Sequence, residues 1–260
     1  MERKQMRAVW TGTIGFGLVS IPVKLYSAVE HSELSFDMLD SRDHARIRYS
    51  RINEHTKKEV PFNEIVKGYK IGDNYVIVDK EDFEKVAPEK TKEIRIEGFV
   101  DLADVNPIYF EKSYYTAPQE KKNKSYALLF QSLTKTGKAG LAKFVMRNVE
   151  SLVMVYPVKN ALVVNTIRWQ QEIRSIDDLN ISSDITISKK EMDMGMALIK
   201  TYEEPFDVKK FRNDYPDELM KLIKAKAKGE RPTIKKFKPK KEKGDLYEQL
   251  MSSLKMRKGA

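Results

Sequence analysis

Three closely spaced segments of alternating apolar residues constrain the fold of this 260-residue chain more than any other feature. Residues 141–147, 152–156 and 161–169 each have the period-two pattern of a β-strand, and they are joined by short connections. The second connection contains Pro157 and Asn160, two residue types that favour turns. Short connections join antiparallel neighbours, because parallel strands need crossovers of about a dozen residues or more. The meander therefore predicts an antiparallel β-barrel rather than alternating strand–helix units.

The rest of the chain predicts further strands together with helices, so we expect the α+β class. Strands are predicted near residues 7–13, 18–29, 34–39, 93–100 and 108–116, with a hairpin at 70–78. Apolar residues at helical spacing predict a helix over 124–135, and Ser188 with Glu191 forms a capping box that opens another. A last helix is predicted over 216–228. Gly12, Gly15 and Gly17 interrupt the first strands, and we interpret them as bulges or close backbone approaches in a curved sheet.

The two late helices carry apolar faces that need a partner. They are formed by Met192, Met196 and Ile199 in the first helix and by Leu219, Leu222 and Ile223 in the second. Such faces either fold back onto the barrel or are shared with a second subunit.

Positive charge is unevenly distributed along the chain. The net charge is +10, and residues 221–260 hold fourteen Lys and Arg against four Asp and Glu, so this tail accounts for the whole excess. The other 220 residues carry 34 charges of each sign. Binding of a polyanion by the body must therefore depend on local patches, whereas the tail binds through its overall charge.

Two local patches meet this requirement. Residues 42–58 contain six basic residues against two acidic ones, and a strand over 45–52 within an arm of two strands over 45–60 would place Arg46 and Arg48 on one face. The alternative is a solvated edge strand protected by charge. Residues 134–149 contain four basic residues and no acidic ones. The candidate phosphate contacts are Arg46, Arg48, Arg51, Lys57 and Lys58 in the first patch and Lys138, Lys143 and Arg147 in the second.

Composition argues against several functional classes. The chain has no cysteine, and its three histidines lack metal-ligand spacing, so we expect no metal site and no cofactor. The sequence TGKAG lacks the glycine and the Ser or Thr that a phosphate-binding loop requires. There is no apolar run long enough to span a membrane and no signal peptide, so we expect a cytoplasmic protein.

Several ordered motifs resemble one known family. RAVWTGTIGFGLVSIPVKLYSA is similar to the opening of the Ku proteins of bacterial non-homologous end joining, and ARIRYSR, EVPFNEIVKGY, VDLADVNPIYFEKSYYTAP and SYALLFQSLTKTGKAGLAKFVMR also match in order. The resemblance covers residues 7–228. It implies a protein that is not an enzyme and that forms an antiparallel β-barrel. Bridge loops from two subunits would close a homodimeric ring around duplex DNA, and the patch at 42–58 would belong to this bridge.

The resemblance and the pattern together give a domain organisation. We expect a barrel over residues 1–185 with its bridge at about 40–60, and a helical dimerisation arm over 186–228. A basic Lys/Pro-rich linker follows over 229–244. Residues 245–260 resume helical spacing with Leu246, Leu250, Met251 and Leu254 on one face, which is typical of a docking helix. Its expected partner is an ATP-dependent DNA ligase of end joining. Because the expected function is binding to DNA ends, we expect the protein to be associated with the nucleoid in the cytoplasm.

Two other functions remain open from the residues alone. A metal-dependent enzyme acting on DNA would need a carboxylate cluster, for which Asp101 and Asp104 are the nearest candidates. A β-barrel adaptor could instead use the basic patches to bind phosphorylated peptides.

Overall fold

The computed structural model describes residues 6–30, 34–89, 91–146, 148–179, 181–182, 184–230 and 250–251. The chain divides into two compact units. The first consists of the described residues of Met1–His31 and Phe36–Ser175, and the second of those of Ser32–Ser35 and Ile176–Ala260.

The first unit is built on a closed β-barrel, which confirms the predicted fold class. Seven strands follow the order β1-β2-β6-β9-β8-β7-β5 around the barrel, and β3 pairs with β4 in a separate hairpin. The strands are β1 (Ala8–Phe16), β2 (Val19–Ser27), β3 (Lys67–Ile71), β4 (Asn74–Val78), β5 (Glu93–Asp101), β6 (Phe110–Pro118), β7 (Lys138–Met146), β8 (Val149–Val158) and β9 (Ala161–Ile167). The described helices are α1 (Lys80–Val86), α2 (Lys124–Thr136), α3 (Lys189–Tyr202) and α4 (Tyr215–Ala227).

One pairing in the barrel differs from the expected antiparallel arrangement. β1 and β5 pair in parallel, with Ile14 opposite Ile94, whereas the six other neighbouring pairs are antiparallel. An odd number of strands cannot alternate in direction all the way around a closed ring, so seven strands require one parallel pair. The long segment between β2 and β5 supplies the crossover that this pair needs.

Helix α2 packs on the apolar core inside the barrel. Its buried residues Tyr126, Leu129 and Leu133 join a cluster of side chains from β1, β2, β5, β7, β8 and β9. The helix begins at an Asn123 cap and ends at Gly137, whose φ of 66° is the left-handed conformation that glycine adopts freely. The amphipathic spacing thus correctly predicted both the helix and its buried face.

A second apolar cluster lies on the other face of the same strands. Met154 and Ile167 are buried there beneath side chains of the connection between β5 and β6, including Val105 and Tyr109. Arg168 fastens this connection, because its Nη1 donates to the carbonyl oxygens of Ile108 at 3.0 Å and Phe110 at 2.7 Å. Strand β9 is consequently buried on both faces.

The segment between β2 and β5 is more open than the sequence predicted. The strands expected over residues 34–39 and 45–52 do not form as regular strands, and only the isolated bridges Leu39↔Arg46 and Ile52↔Glu59 occur there. No residue from 34 to 89 is buried. Strands are stabilised by neighbours on their faces and edges, and these short segments pair over single bridges without such cover. The predicted hairpin does form, as β3 and β4.

The described part of the second unit is helical. Helix α3 begins at the predicted capping box, in which Ser188 and Glu191 exchange hydrogen bonds with each other's backbone. Helix α4 begins with Tyr215 and Pro216, and proline is favoured in the first turn of a helix. Neither helix has a buried residue, so their apolar faces are at most partly covered by the part of the chain that the structure describes.

Candidate nucleic-acid interface

Two tight turns shape the arm, which we define as residues 36–66. In the first turn the N–H of Asp40 donates to Ala45 O, and in the second the N–H of Asn53 donates to Lys58 O, each at 2.9 Å. Each turn contains one residue with positive φ, His44 and Lys57 respectively. The arm is therefore held by its own backbone hydrogen bonds and exposes nearly all of its side chains.

Side chains inside the arm reinforce the first turn. Both carboxylate oxygens of Asp40 accept hydrogen bonds from the guanidinium of Arg42, with a shortest distance of 2.6 Å. This contact lowers the pKa of the Asp40 carboxyl group and raises that of Arg42. Arg42 is therefore already paired with a carboxylate within the turn.

The cations of the arm differ in whether a carboxylate already neutralises them. Arg46 Nη2 lies 2.5 Å from Asp37 Oδ1, and Arg51 stacks over the Phe62 ring at 5.2 Å. Within the described ranges, Arg48, Lys57 and Lys58 form no ion pair. These three residues can offer an uncompensated positive charge to a polyanion.

The arm also has an apolar face. The bridge Leu39↔Arg46 places Met38 beside Ile47, and the Tyr49 hydroxyl donates to the Met38 sulfur at 3.4 Å. Tyr49 is nevertheless 85% exposed. The arm thus exposes uncovered apolar groups as well as cations.

Uncovered apolar side chains occur in the arm, in the hairpin of β3 and β4, and in α1. The sequence patterns did not indicate them as functional residues. Large exposed residues include Phe36, Phe62, Tyr69, Ile71, Tyr75, Ile77, Phe83 and Val86. Contiguous exposed apolar surface on this scale marks an interaction site. The sequence signal for this surface was the predicted hairpin, which has apolar residues on both of its faces. In the structure β3 and β4 pair only with each other among the described strands, so both faces stay open.

Two of the four basic residues in the second predicted patch are paired with carboxylates of strand β5. Lys138 pairs with Asp101 across the β5–β7 ladder, with Nζ 2.7 Å from Oδ2. Lys143 Nζ lies 3.7 Å from Glu97 Oε1. The third predicted member, Arg147, lies outside the described residues. A patch that contains no acid in sequence therefore acquires acids from the neighbouring strand.

The predicted dimerisation residues are exposed or partly exposed. Met192, Met196 and Ile199 of α3 are 51%, 54% and 72% exposed, and Leu219, Leu222 and Ile223 of α4 are partly exposed. Of the predicted docking residues, Leu250 and Met251 are helical and half-buried, while Leu246 and Leu254 lie outside the described residues. Most of the basic linker, residues 231–244, also lies outside them.

The described residues lack the metal site that a DNA-processing enzyme would require. Among them, no group of three or more His, Asp or Glu could hold a metal ion, and Asp101 is engaged with Lys138. Asp104 ends the short 3₁₀ turn Leu102–Asp104. No helix in the described ranges has both the length and the apolar character to cross a membrane.

The fold and the site together define a β-barrel protein with an exposed arm, in which Arg48, Lys57 and Lys58 form no ion pair within the described ranges. The family model of the Ku70/Ku80 beta-barrel domain matches residues 15–194. The chain therefore belongs to the Ku family, as its motifs predicted.

Curated relatives match over most of their length. The chain is 40% identical over 227 residues to the Non-homologous end joining protein Ku of Coxiella burnetii, covering 85% of this chain and 83% of that protein. It is 40% identical over 226 residues to the protein of the same name from Archaeoglobus fulgidus, covering 86% and 89%. The corresponding protein of Pseudomonas aeruginosa is 35% identical over 263 residues, covering 97% and 89%.

Proposed function

We propose that this chain binds the ends of double-stranded DNA as a homodimeric ring in non-homologous end joining, and recruits an ATP-dependent DNA ligase there. The observation that carries the proposal is the exposed arm, which presents Arg48, Lys57 and Lys58, cations without an ion-pair partner among the described residues, together with uncovered apolar groups. Family membership and the names of the relatives support the same reading. The protein acts by binding rather than by catalysis, beside chromosomal DNA in the cytoplasm.

The arm provides the phosphate contacts of the ring. We assign these contacts to Arg46, Arg48, Arg51, Lys57 and Lys58. Arginine and lysine bind phosphate oxygens, which repeat along any duplex and report no base identity. Binding is therefore independent of sequence, and its affinity falls steeply as salt rises because condensed counterions are released.

A second copy of the chain covers the uncovered apolar surface. No residue from 34 to 89 is buried in one chain. Large apolar side chains of this segment are exposed, and Tyr49, Phe62 and Tyr75 are each exposed by 70% or more. Isolated two-stranded hairpins have little stability in water, so β3 and β4 gain most from a partner that packs on them. We extend the dimer surface to the apolar faces of α3 and α4. A symmetric pairing of such faces satisfies both subunits at once.

The barrel-side cations have a secondary part in this proposal. Lys138 and Lys143 are each paired with a carboxylate, so DNA must displace an acidic partner before a phosphate can use them. Exposed pairs of this kind contribute about 0–1 kcal/mol, so the displacement is feasible but gains little. Arg147 belongs to the same proposed group on its sequence position alone.

The test of the proposal compares linear with relaxed circular duplex of equal length. A ring loads only at an end, whereas an open basic surface meets the same phosphates on both forms. We expect residues 1–229, which lack the basic tail, to bind the linear form much more tightly. Circularising the DNA after loading should trap the protein through a high-salt wash. Equal binding of the two forms, with release by salt, would reject the ring and favour the phosphopeptide adaptor.

A further inference from the structure

The carboxylates of β5 form a row beside the candidate cations of β7. Asp101 lies opposite Lys138 in the ladder and contacts it at 2.7 Å, and Glu97 contacts Lys143 at 3.7 Å. All four side chains are about half exposed, with exposures between 40% and 53%. The pairs are therefore on the surface, where a polyanion could reach the lysines if the carboxylates were absent.

The surroundings of Lys143 are acidic overall. A shallow cavity of about 250 Å³ is lined there by Glu89, Glu93, Glu97 and Glu150, and the cations among its described lining residues are Arg95 and Lys143. Glu93 also pairs with Arg95 at 3.5 Å. Among the described residues that line this cavity, carboxylates therefore outnumber cations by four to two. Such a surface repels the phosphates of DNA.

Within the described residues, the side-chain contact of Asp101 is with Lys138. It precedes the short turn Leu102–Asp104, but its side chain makes no capping hydrogen bond there. Exposed ion pairs also stabilise a fold very little. The contrast with the arm is direct, since Arg48, Lys57 and Lys58 form no ion pair within the part of the chain that the structure describes.

We propose that Glu97 and Asp101 are specificity-determining residues, which suppress lateral DNA binding through Lys138 and Lys143 and so leave the arm as the main DNA contact. The inference rests on the proposed end-binding function and adds its source of selectivity. A lysine that stays paired with a carboxylate neutralises no phosphate, so no condensed counterion leaves the DNA. A lysine without that carboxylate can bind one more phosphate and release its counterion. Lateral binding occurs equally on linear and circular duplex, so it dilutes the preference for ends. Selectivity then depends on the acids as much as on the bases.

The experiment measures the affinity of the full-length protein for linear and for relaxed circular duplex over a range of salt. In the variant Glu97→Gln with Asp101→Asn, affinity for circular duplex should rise by about tenfold, and the salt slope should steepen by up to about 1.8 if two more phosphates are bound. The ratio of linear to circular affinity should fall accordingly. Glu204→Gln is the matched control, because it frees Lys210 from a 2.7 Å pair outside both patches.

A second variant separates this effect from any disturbance of the fold. Adding Lys138→Gln and Lys143→Gln to the same protein removes the freed cations, and the affinity ratio should return towards the wild-type value. Unchanged circular binding and an unchanged salt slope in the first variant, beside a wild-type protein that prefers linear duplex, would overturn this inference alone. A wild-type protein without that preference, together with equal binding of the two forms by residues 1–229, would overturn the ring proposal and this inference together.

Discussion

The hydroxyl group of Tyr126 in α2 accepts a hydrogen bond from the backbone N–H of Leu162 in β9 at 2.9 Å. The same hydroxyl donates to Thr116 O of β6 at 3.0 Å and lies 2.9 Å from the Thr116 hydroxyl. Leu162 and Thr116 are buried, so these polar groups have no access to bulk water. One side chain thus fastens the helix to two neighbouring strands of the barrel.

This network predicts a specific cost for Tyr126→Phe. The variant keeps the ring and its packing but leaves the Leu162 N–H buried without a partner. An unsatisfied buried group costs about 1–3 kcal/mol, and the free energy of unfolding in urea should fall by that amount. Tyr69→Phe is the control, since Tyr69 is 70% exposed and the removal of its hydroxyl should change stability little. Equal stability of the two variants would show that the hydroxyl network contributes nothing.

Gly12 tests the parallel closure of the barrel. A Cβ at this position would lie 2.2 Å from Lys92 O and 2.3 Å from the Trp10 ring, while the next residue, Thr13, donates its N–H to Lys92 O at 3.0 Å. The backbone cannot retreat without breaking the approach of β1 to β5. We expect Gly12→Ala to destabilise the protein by about 1–3 kcal/mol, measured as the free energy of unfolding in urea. Gly98→Ala is the matched control, because nothing lies within 4 Å of its Cβ position.

The arm can be tested through the salt dependence of DNA binding. Arg46→Ala with Arg48→Ala should weaken binding to every duplex sequence equally and reduce the salt slope by about 0.9 for each phosphate that the arm no longer binds. The effect of Arg48 should be the larger one, because Arg46 is already paired with Asp37. Replacing Lys80 and Lys85 of α1 by alanine removes the same charge outside both patches and should leave the slope unchanged. The measurement is a titration of linear duplex at several salt concentrations.

The sequence predicted the barrel better than it predicted the charges on its surface. Alternation and turn residues are local signals, and they correctly indicated most strands, α2 and the capping box of Ser188. The pairing of Lys138 with Asp101 joins residues 37 positions apart. It depends on the register between β5 and β7, which no local pattern specifies. The parallel pairing of β1 with β5 was also not predicted. It follows from the number of strands in the closed barrel, which no local pattern specifies either.

The arm shows a second kind of limit. Its cations and turns were readable from the sequence, but alternation over 45–52 predicted a regular strand that the structure does not contain. Period-two patterning reports which residues suit a pleated surface, and it assumes that a neighbouring surface exists. Among the described residues the arm lacks that neighbour, and the proposed second subunit would supply it.

The C-terminal segment gives the last prediction. Leu246, Leu250 and Leu254 are spaced to form one apolar face, and the Lys/Pro-rich linker before them cannot build a core of its own. A short amphipathic helix on such a linker buries its face most readily against a partner. We propose the ATP-dependent DNA ligase as this partner, so deleting residues 244–260 should abolish stimulation of end joining by the ligase.

The same deletion should leave the dimer intact and DNA binding largely so, because the arm, α3 and α4 all precede it. The Lys-rich linker stays in the truncated protein, since its charge alone raises nonspecific affinity. Leu250→Asp in the full-length chain is a finer version, which retains every basic residue and should also lose stimulation. The readouts are ligation of linear duplex, dimer mass by light scattering and affinity for DNA ends. Full stimulation by either variant would reject the docking role, whereas loss of DNA binding would show that the segment serves the ring itself.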